Sequence, residues 1–123
     1  MIATRQKLRR LILETWLQTK WDAGDNVVTI QDVIGYLDQA KREVTMIRAR
    51  KLREMLPKSS LDLEPERVAS ADIRHPLVVV VDPETKQLLY VLDGNHRLQR
   101  AVDIDASVGI RILYSHEFDA LLG

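Results

Sequence analysis

The stretch Pro76-Leu-Val-Val-Val-Val-Asp-Pro83 constrains this chain more than any other. A leucine followed by four valines offers no polar face at helical or at strand spacing, so the run has to be covered on both sides. Its β-branched residues favour extended backbone and pack well on a pleated surface. Pro76 and the Asp82-Pro83 pair bound the run at strand length, which completes the case for a buried strand. Such a strand needs layers above and below its sheet. A chain of 123 residues, 46% of them hydrophobic, supplies those layers within one compact domain.

The flanking segments provide the partners. Asp82-Pro-Glu-Thr-Lys-Gln87 is a polar turn and Leu88-Leu-Tyr-Val-Leu92 a second strand, so the pair reads as a hairpin. Asp93-Gly94 then turns abruptly into a helix over residues 95–104, with Leu98, Ala101 and Val102 facing inward. Val108-Gly-Ile-Arg-Ile-Leu113 is a third strand, and Ser115 is a candidate cap for a last short helix through Leu122. Upstream, Glu64-Pro-Glu-Arg-Val-Ala-Ser-Ala71 reads as a short helix with Pro65 in its first turn, where a missing N–H costs nothing. The alternation predicts a small α+β (mixed α/β) body with a mixed sheet.

Two helices are expected before this body. Leu8, Leu11, Ile12, Thr15, Trp16 and Leu17 follow helical spacing over residues 4–21, with Thr4 as N-cap and Asp22-Ala-Gly24 as the end. Thr29-Ile-Gln-Asp32 resembles a capping box with Asp in place of Glu and opens a second helix over residues 30–40, whose apolar face is Val33, Ile34 and Leu37. Periodicity leaves residues 44–49 open between a strand and a helix continuing to Leu56. The organisation expected is a helical extension over residues 1–42 and a domain over 43–123.

Composition removes several kinds of chemistry. With no cysteine, disulfide scaffolds, thiolate metal sites and cysteine nucleophiles are excluded. No apolar run exceeds five residues, against the roughly 20 needed to span a bilayer, so no membrane partner is expected. The N-terminus lacks an apolar segment with a cleavage site, and a cytoplasmic location is expected. His75, His96 and His116 lack metal-ligand spacing. Trp16 and Trp21, five residues apart, fall on different helix faces, and at least one is expected in a core or partner contact. Lys and Arg number 18 and Asp and Glu 18, so the whole molecule offers no strong field for nucleic acid. The charge is nevertheless uneven: residues 1–56 hold 11 basic and 7 acidic side chains, and the remainder 7 and 11. Arg5, Lys7, Arg9 and Arg10 are the densest basic cluster, either a phosphate-seeking surface or a solvated face. Weak DNA binding through this segment, or docking of a protein partner, is the expectation.

The residues that bear chemistry are Asp93-Gly94-Asn95-His96-Arg97. N–H groups at a helix start converge on one spot with partial positive charge, and Gly94 allows close approach to the backbone. His96 and Arg97 add donors where a phosphate would rest. Asp93 at the strand end is placed to hold magnesium or to accept a proton. The same residues also read as plain structure. Asp-Gly is a common turn, Asn95 a good N-cap, His96 a satisfied histidine and Arg97 the partner of a carboxylate.

The hairpin with Leu92-Asp-Gly-Asn-His-Arg-Leu98, the helix after it and the closing strand resemble the ParB/sulfiredoxin superfamily, over about residues 44–115. Members carry a Gly-x-His-Arg or related basic box at the mouth of a small α/β domain, and several bind nucleotide phosphates with it. Sulfiredoxins also carry an Asp-Pro-x-Lys-Val-x-Ser helix that helps hold ATP, and Glu64-Pro-Glu-Arg-Val-Ala-Ser70 looks like it, with Arg67 at the Lys position and Ser70 at the Ser position. The resemblance makes residues 44–49 the first strand of the domain. It implies a site for ATP or CTP with Mg2+, in which Gly94, Asn95, His96 and Arg97 cradle phosphates. Arg67 and Ser70 close that site, Arg100 stands at its edge, and Asp93 holds the metal. If the chain is catalytic, Asp93 and His96 are the catalytic candidates and phosphoryl transfer or nucleotide hydrolysis the reaction implied.

The departures narrow this expectation. Asn95 stands where sulfiredoxins carry the reactive cysteine, so sulfinic acid reduction is excluded. The DNA reader and dimerisation segment of chromosome-partition ParB proteins have no counterpart here. Nuclease activity is attached to the superfamily name, yet no residue selects it. Free-serine kinases of this fold carry a similar box. A small standalone member behind other helices is the kind of chain carried by phages and mobile elements. The alternative expectation is a non-catalytic module that binds DNA or a protein, with the phosphate box kept as structure.

Overall fold

A computed structural model describes residues 9–12, 19–23, 26–58 and 62–123. Strands β1 (Arg9–Ile12), β2 (Thr19–Ala23) and β3 (Asn26–Thr29) form an antiparallel three-stranded sheet. Strands β4 (Thr45–Arg48), β5 (Leu77–Val81), β6 (Leu88–Asp93) and β7 (Ser107–Tyr114) form a second sheet in the order β4-β7-β5-β6. That sheet is mixed: β5 runs parallel to β7, while β6 and β4 run antiparallel to their neighbours. The helices are α1 (Ile30–Gln39), α2 (Ala49–Met55), α3 (Pro65–Ser70), α4 (Asn95–Asp103) and α5 (Ser115–Leu122).

β5 organises two cores, as the valine run requires. All five of its residues are buried. Val78 and Val80 join a cluster with Leu92 and Leu113 of the sheet, Trp21 and Val28 of the small sheet, Val33 and Leu37 of α1, and Phe118 and Leu122 of α5. Leu77, Val79 and Val81 point the other way, into a cluster with Ala49 and Leu52 of α2 and Leu98 and Ala101 of α4. Strand alternation thus sends one apolar run into two cores, and each buried leucine or valine contributes roughly 1.5–3 kcal/mol relative to exposure.

Several expected elements are present. The Thr29 and Asp32 box closes reciprocally, with Asp32 N–H donating to Thr29 Oγ1 at 3.1 Å and Thr29 N–H to Asp32 Oδ2 at 2.8 Å. Pro65 opens α3. β5 and β6 are the expected antiparallel pair, bent by irregularities between Val78 and Val79 and between Val80 and Val81. Residues 45–48 are a strand, and α2 follows it directly.

The N-terminal helix is corrected. Residues 1–8 and 13–18, with Thr4, Arg5, Lys7 and Trp16, lie outside the described residues. Within the expected helix, Arg9–Ile12 and Thr19–Ala23 are strands instead, and Asn26–Thr29 adds a third strand that spacing did not indicate. Pairing across a sheet explains the outcome. Trp21 stands opposite Val28, both are about 5% exposed or less, and the Trp21 indole meets Phe118 edge-on at 5.6 Å. An antiparallel pair brings Trp21 and Val28 together over Phe118, so tertiary packing overrides helical spacing.

Two caps also differ from expectation. Gly94, not Asn95, is the N-cap of α4. At α5 the N-cap is Tyr114 rather than Ser115, and the Glu117 carboxylate accepts the Tyr114 N–H at 2.8 Å. Among the described residues no helix is long and apolar enough to cross a membrane.

Candidate functional site

The turn between β6 and α4 follows a strand paired to the buried β5. Asp93, the last residue of β6, pairs with Val78 of β5, which places the turn beside the start of β5. Gly94 then takes a left-handed conformation, φ 107°, that reverses the chain directly into the helix. A Cβ at Gly94 would fall 2.7 Å from Leu77 Cγ and 3.0 Å from Arg97 Nη2, so glycine is required by conformation and by space. Leu98 N–H donates to Gly94 O at 2.8 Å and closes the first helical turn.

The side chains of this turn serve one another. Arg97 Nη2 donates to Asp93 Oδ2 at 2.8 Å, with the two side chains 20% and 24% exposed. Asn95 turns its amide back to Val91 O at 3.2 Å. His96 Nε2 and Arg97 Nε are both shut off from solvent, and Arg97 Nε makes no hydrogen bond among the described residues. The structure therefore brings Asp93, Gly94 and Arg97 into direct contact at a helix N-terminus, with Asn95 and His96 alongside.

The other expected residues sit on α3 and further along α4. Helix α3 packs on α4. Arg67 Nη1 lies 3.8 Å from Glu64 Oε1, and Ser70 Oγ donates to Glu66 O at 2.9 Å, so both spend polar groups within their own helix. Arg100 lines a shallow cleft with Asp62, Gln99 and Asp103. No group of three or more His, Asp or Glu side chains placed to hold a metal occurs among the described residues, and Asp93 engages Arg97 with one of its two oxygens.

A deeper cleft, about 830 Å³, opens where Asn95 ends the turn. Its floor is apolar, with Leu56, Leu63, Leu89, Val91 and Leu98, and its rim carries Arg53, Glu54 and Lys58 together with Asn95 and Gln99. Arg53 Nη2 donates to Gln99 Oε1 at 2.9 Å, and Gln99 Nε2 donates to Asp103 Oδ1 at 2.8 Å. Sequence reading did not single out Arg53, Lys58 or Gln99. The spacing of Gln99 and Asp103 by four is a helical signal, but Arg53 and Gln99 are 46 residues apart and meet only through the fold.

Comparison of the chain with protein-family models, with curated proteins and with solved structures brings no match.

Proposed function

We propose that this chain binds a nucleoside triphosphate, ATP or CTP, with its phosphates at the opening of α4. The observation that carries the reading is the Arg97 guanidinium, held by Asp93 at the N-terminus of a nine-residue helix that a left-handed glycine starts. A helix N-terminus favours negative charge through its free N–H groups and its dipole, and an arginine beside it adds planar donors suited to phosphate oxygens. In this reading a phosphate takes Arg97 from Asp93. The released Asp93 carboxylate would be the residue to hold a magnesium ion carried by the triphosphate, which would offset the phosphate charge. Asn95 and His96 line the same turn. By the resemblance to the ParB/sulfiredoxin superfamily, Arg67 and Ser70 of α3 would close the site and Arg100 of α4 would stand at its edge. If the chain catalyses phosphoryl transfer or hydrolysis, Asp93 would either hold the metal or act as the base, with His96 the other catalytic candidate.

A second reading has its own support. Arg97 already has a carboxylate partner, and Leu77 fills the space in front of Gly94. A turn whose arginine is already ion-paired also suits a structural role in a module that binds DNA or a protein. Thermal shift with ATP, CTP and GTP in the presence of Mg2+ decides between the two. A ligand that binds only the folded state must raise the melting temperature. A rise with one of these nucleotides supports the first reading, and no change with any of them gives the turn to structure.

A further inference from the structure

Of the nine arginines between Arg42 and Arg111, seven have a carboxylate within ion-pair distance among the described residues, and the two without one there, Arg53 of α2 and Arg100 of α4, each line a cleft together with Gln99. Arg53 is the more developed of the two. Its guanidinium is oriented by Gln99, and Gln99 is in turn braced by Asp103, so the charge is fixed at the rim of the 830 Å³ cleft by a neutral amide. A neutral brace orients an arginine without cancelling its charge, which leaves planar donors ready for an incoming anion. Lys58 at the same rim makes no ion pair among the described residues, nor does Glu54, so the rim carries a net positive charge. Below it lies an apolar floor, and the volume falls in the range of about 300–1,000 Å³ typical of small-molecule sites.

We propose that this cleft between α2, β6 and α4 binds a small amphipathic anion, an organic carboxylate, sulfonate or phosphate monoester whose apolar body rests on Leu56, Leu89 and Leu98 while its charged group meets Arg53. The site stands on the Arg53, Gln99 and Asp103 relay and does not rest on the nucleotide reading, which places its ligand on Arg97. Burial of an apolar ring supplies most of the affinity, and the single charge-assisted contact fixes orientation.

The test uses the intact chain and two fluorescent probes of matched shape. One is 8-anilinonaphthalene-1-sulfonate, and the other is N-phenyl-1-naphthylamine, which lacks the sulfonate. The folded protein is expected to bind the sulfonate probe saturably and to bind the neutral probe more weakly. Arg53→Met keeps the aliphatic stem and is expected to weaken the sulfonate probe about tenfold while changing the neutral probe by less than about twofold, as loss of a hydrogen bond to a charged group implies. Gln99→Leu, which removes the brace and leaves the charge, is expected to weaken the sulfonate probe by a smaller factor. Circular dichroism and urea titration establish that both variants are folded, and Lys58→Met is a further exposed-site variant with the same expected direction. No saturable binding to the folded protein, equal affinity for the two probes, or unchanged sulfonate affinity in Arg53→Met overturns the proposal.

Discussion

Arg42 grips Glu117 with both arms of its guanidinium, Nη1 to Oε1 at 3.0 Å and Nη2 to Oε2 at 2.8 Å. The turn that ends α1 delivers it there. Arg42 N–H donates to Leu37 O at 2.9 Å and Lys41 N–H to Asp38 O at 3.1 Å, the paired bonds of a Schellman motif. Glu117 also accepts from the Tyr36 hydroxyl and from the Tyr114 N–H, so one carboxylate joins α1, the α1–β4 connection and the start of α5. Its side chain is 10% exposed and that of Arg42 23%.

Arg42→Met leaves a nearly buried carboxylate without its counter-charge. Removing one partner of a buried pair costs about 3–5 kcal/mol, because the remaining charge is left uncompensated. A fall of that size is expected in urea unfolding, while Arg42→Met with Glu117→Leu is expected to recover a large part of it. A single mutant as stable as the parent would show the pair to be dispensable.

The same group makes a pH prediction. Burial by itself raises the Glu117 carboxyl, but bonds from Arg42, Tyr36 and the Tyr114 amide outweigh it and hold the group at about 2. A carboxylate depressed in the folded state stabilises the fold above its unfolded value near 4.5 and loses that contribution as pH falls through about 2. The contribution is of order 3 kcal/mol at neutral pH. Stability measured between pH 6 and 2 (~0.15 M salt) is expected to decline towards acid in the parent and to decline less in Glu117→Gln.

Gly94→Ala tests the turn. The left-handed backbone costs a non-glycine residue about 1–2 kcal/mol, and a methyl 2.7 Å from Leu77 Cγ adds overpacking, for a loss of about 2–4 kcal/mol together. Combining it with Leu77→Ala would remove the clash and leave the conformational part, which double-mutant urea titrations resolve.

Arg97→Ala separates binding from structure. Its ion pair with Asp93 is neither fully exposed nor fully buried, so the stability cost is expected between the surface and buried extremes, about 1–3 kcal/mol. Under the proposed function nucleotide binding is lost. Titration calorimetry that shows undiminished nucleotide binding by a folded Arg97→Ala protein would remove the phosphates from this turn.

Lys41→Gly is expected to stabilise the protein. Lys41 closes the α1 Schellman motif at φ 54°, the left-handed conformation that glycine adopts without a Cβ penalty. Relief of that strain outweighs the added freedom of glycine in the unfolded chain, for a net gain of about 0.5–1 kcal/mol in urea titration.

Local physics determined part of this protein in a form legible from the chain. Four valines after Leu77 admit only a strand covered on both faces, Thr29 and Asp32 can satisfy each other's N–H groups three residues apart, and Pro65 fits only where an N–H is not needed. The Asp93-Gly94 turn was legible for the same reason, because its requirement lies within adjacent residues. Tertiary structure decided what depends on contacts far apart in sequence. Trp21 became a strand residue because Val28 and Phe118 complete its core, and helical spacing over residues 4–21 carries no information about either. Glycine displaced Asn95 as the cap of α4 because a buried, left-handed position beside Leu77 has no room for a side chain. Arg42 finds Glu117 across 75 residues, and Arg53 finds Gln99 across 46. Helical and strand periodicity record which face of an element is apolar, whereas the partner of a polar group on the other face is set by which elements the apolar faces bring together.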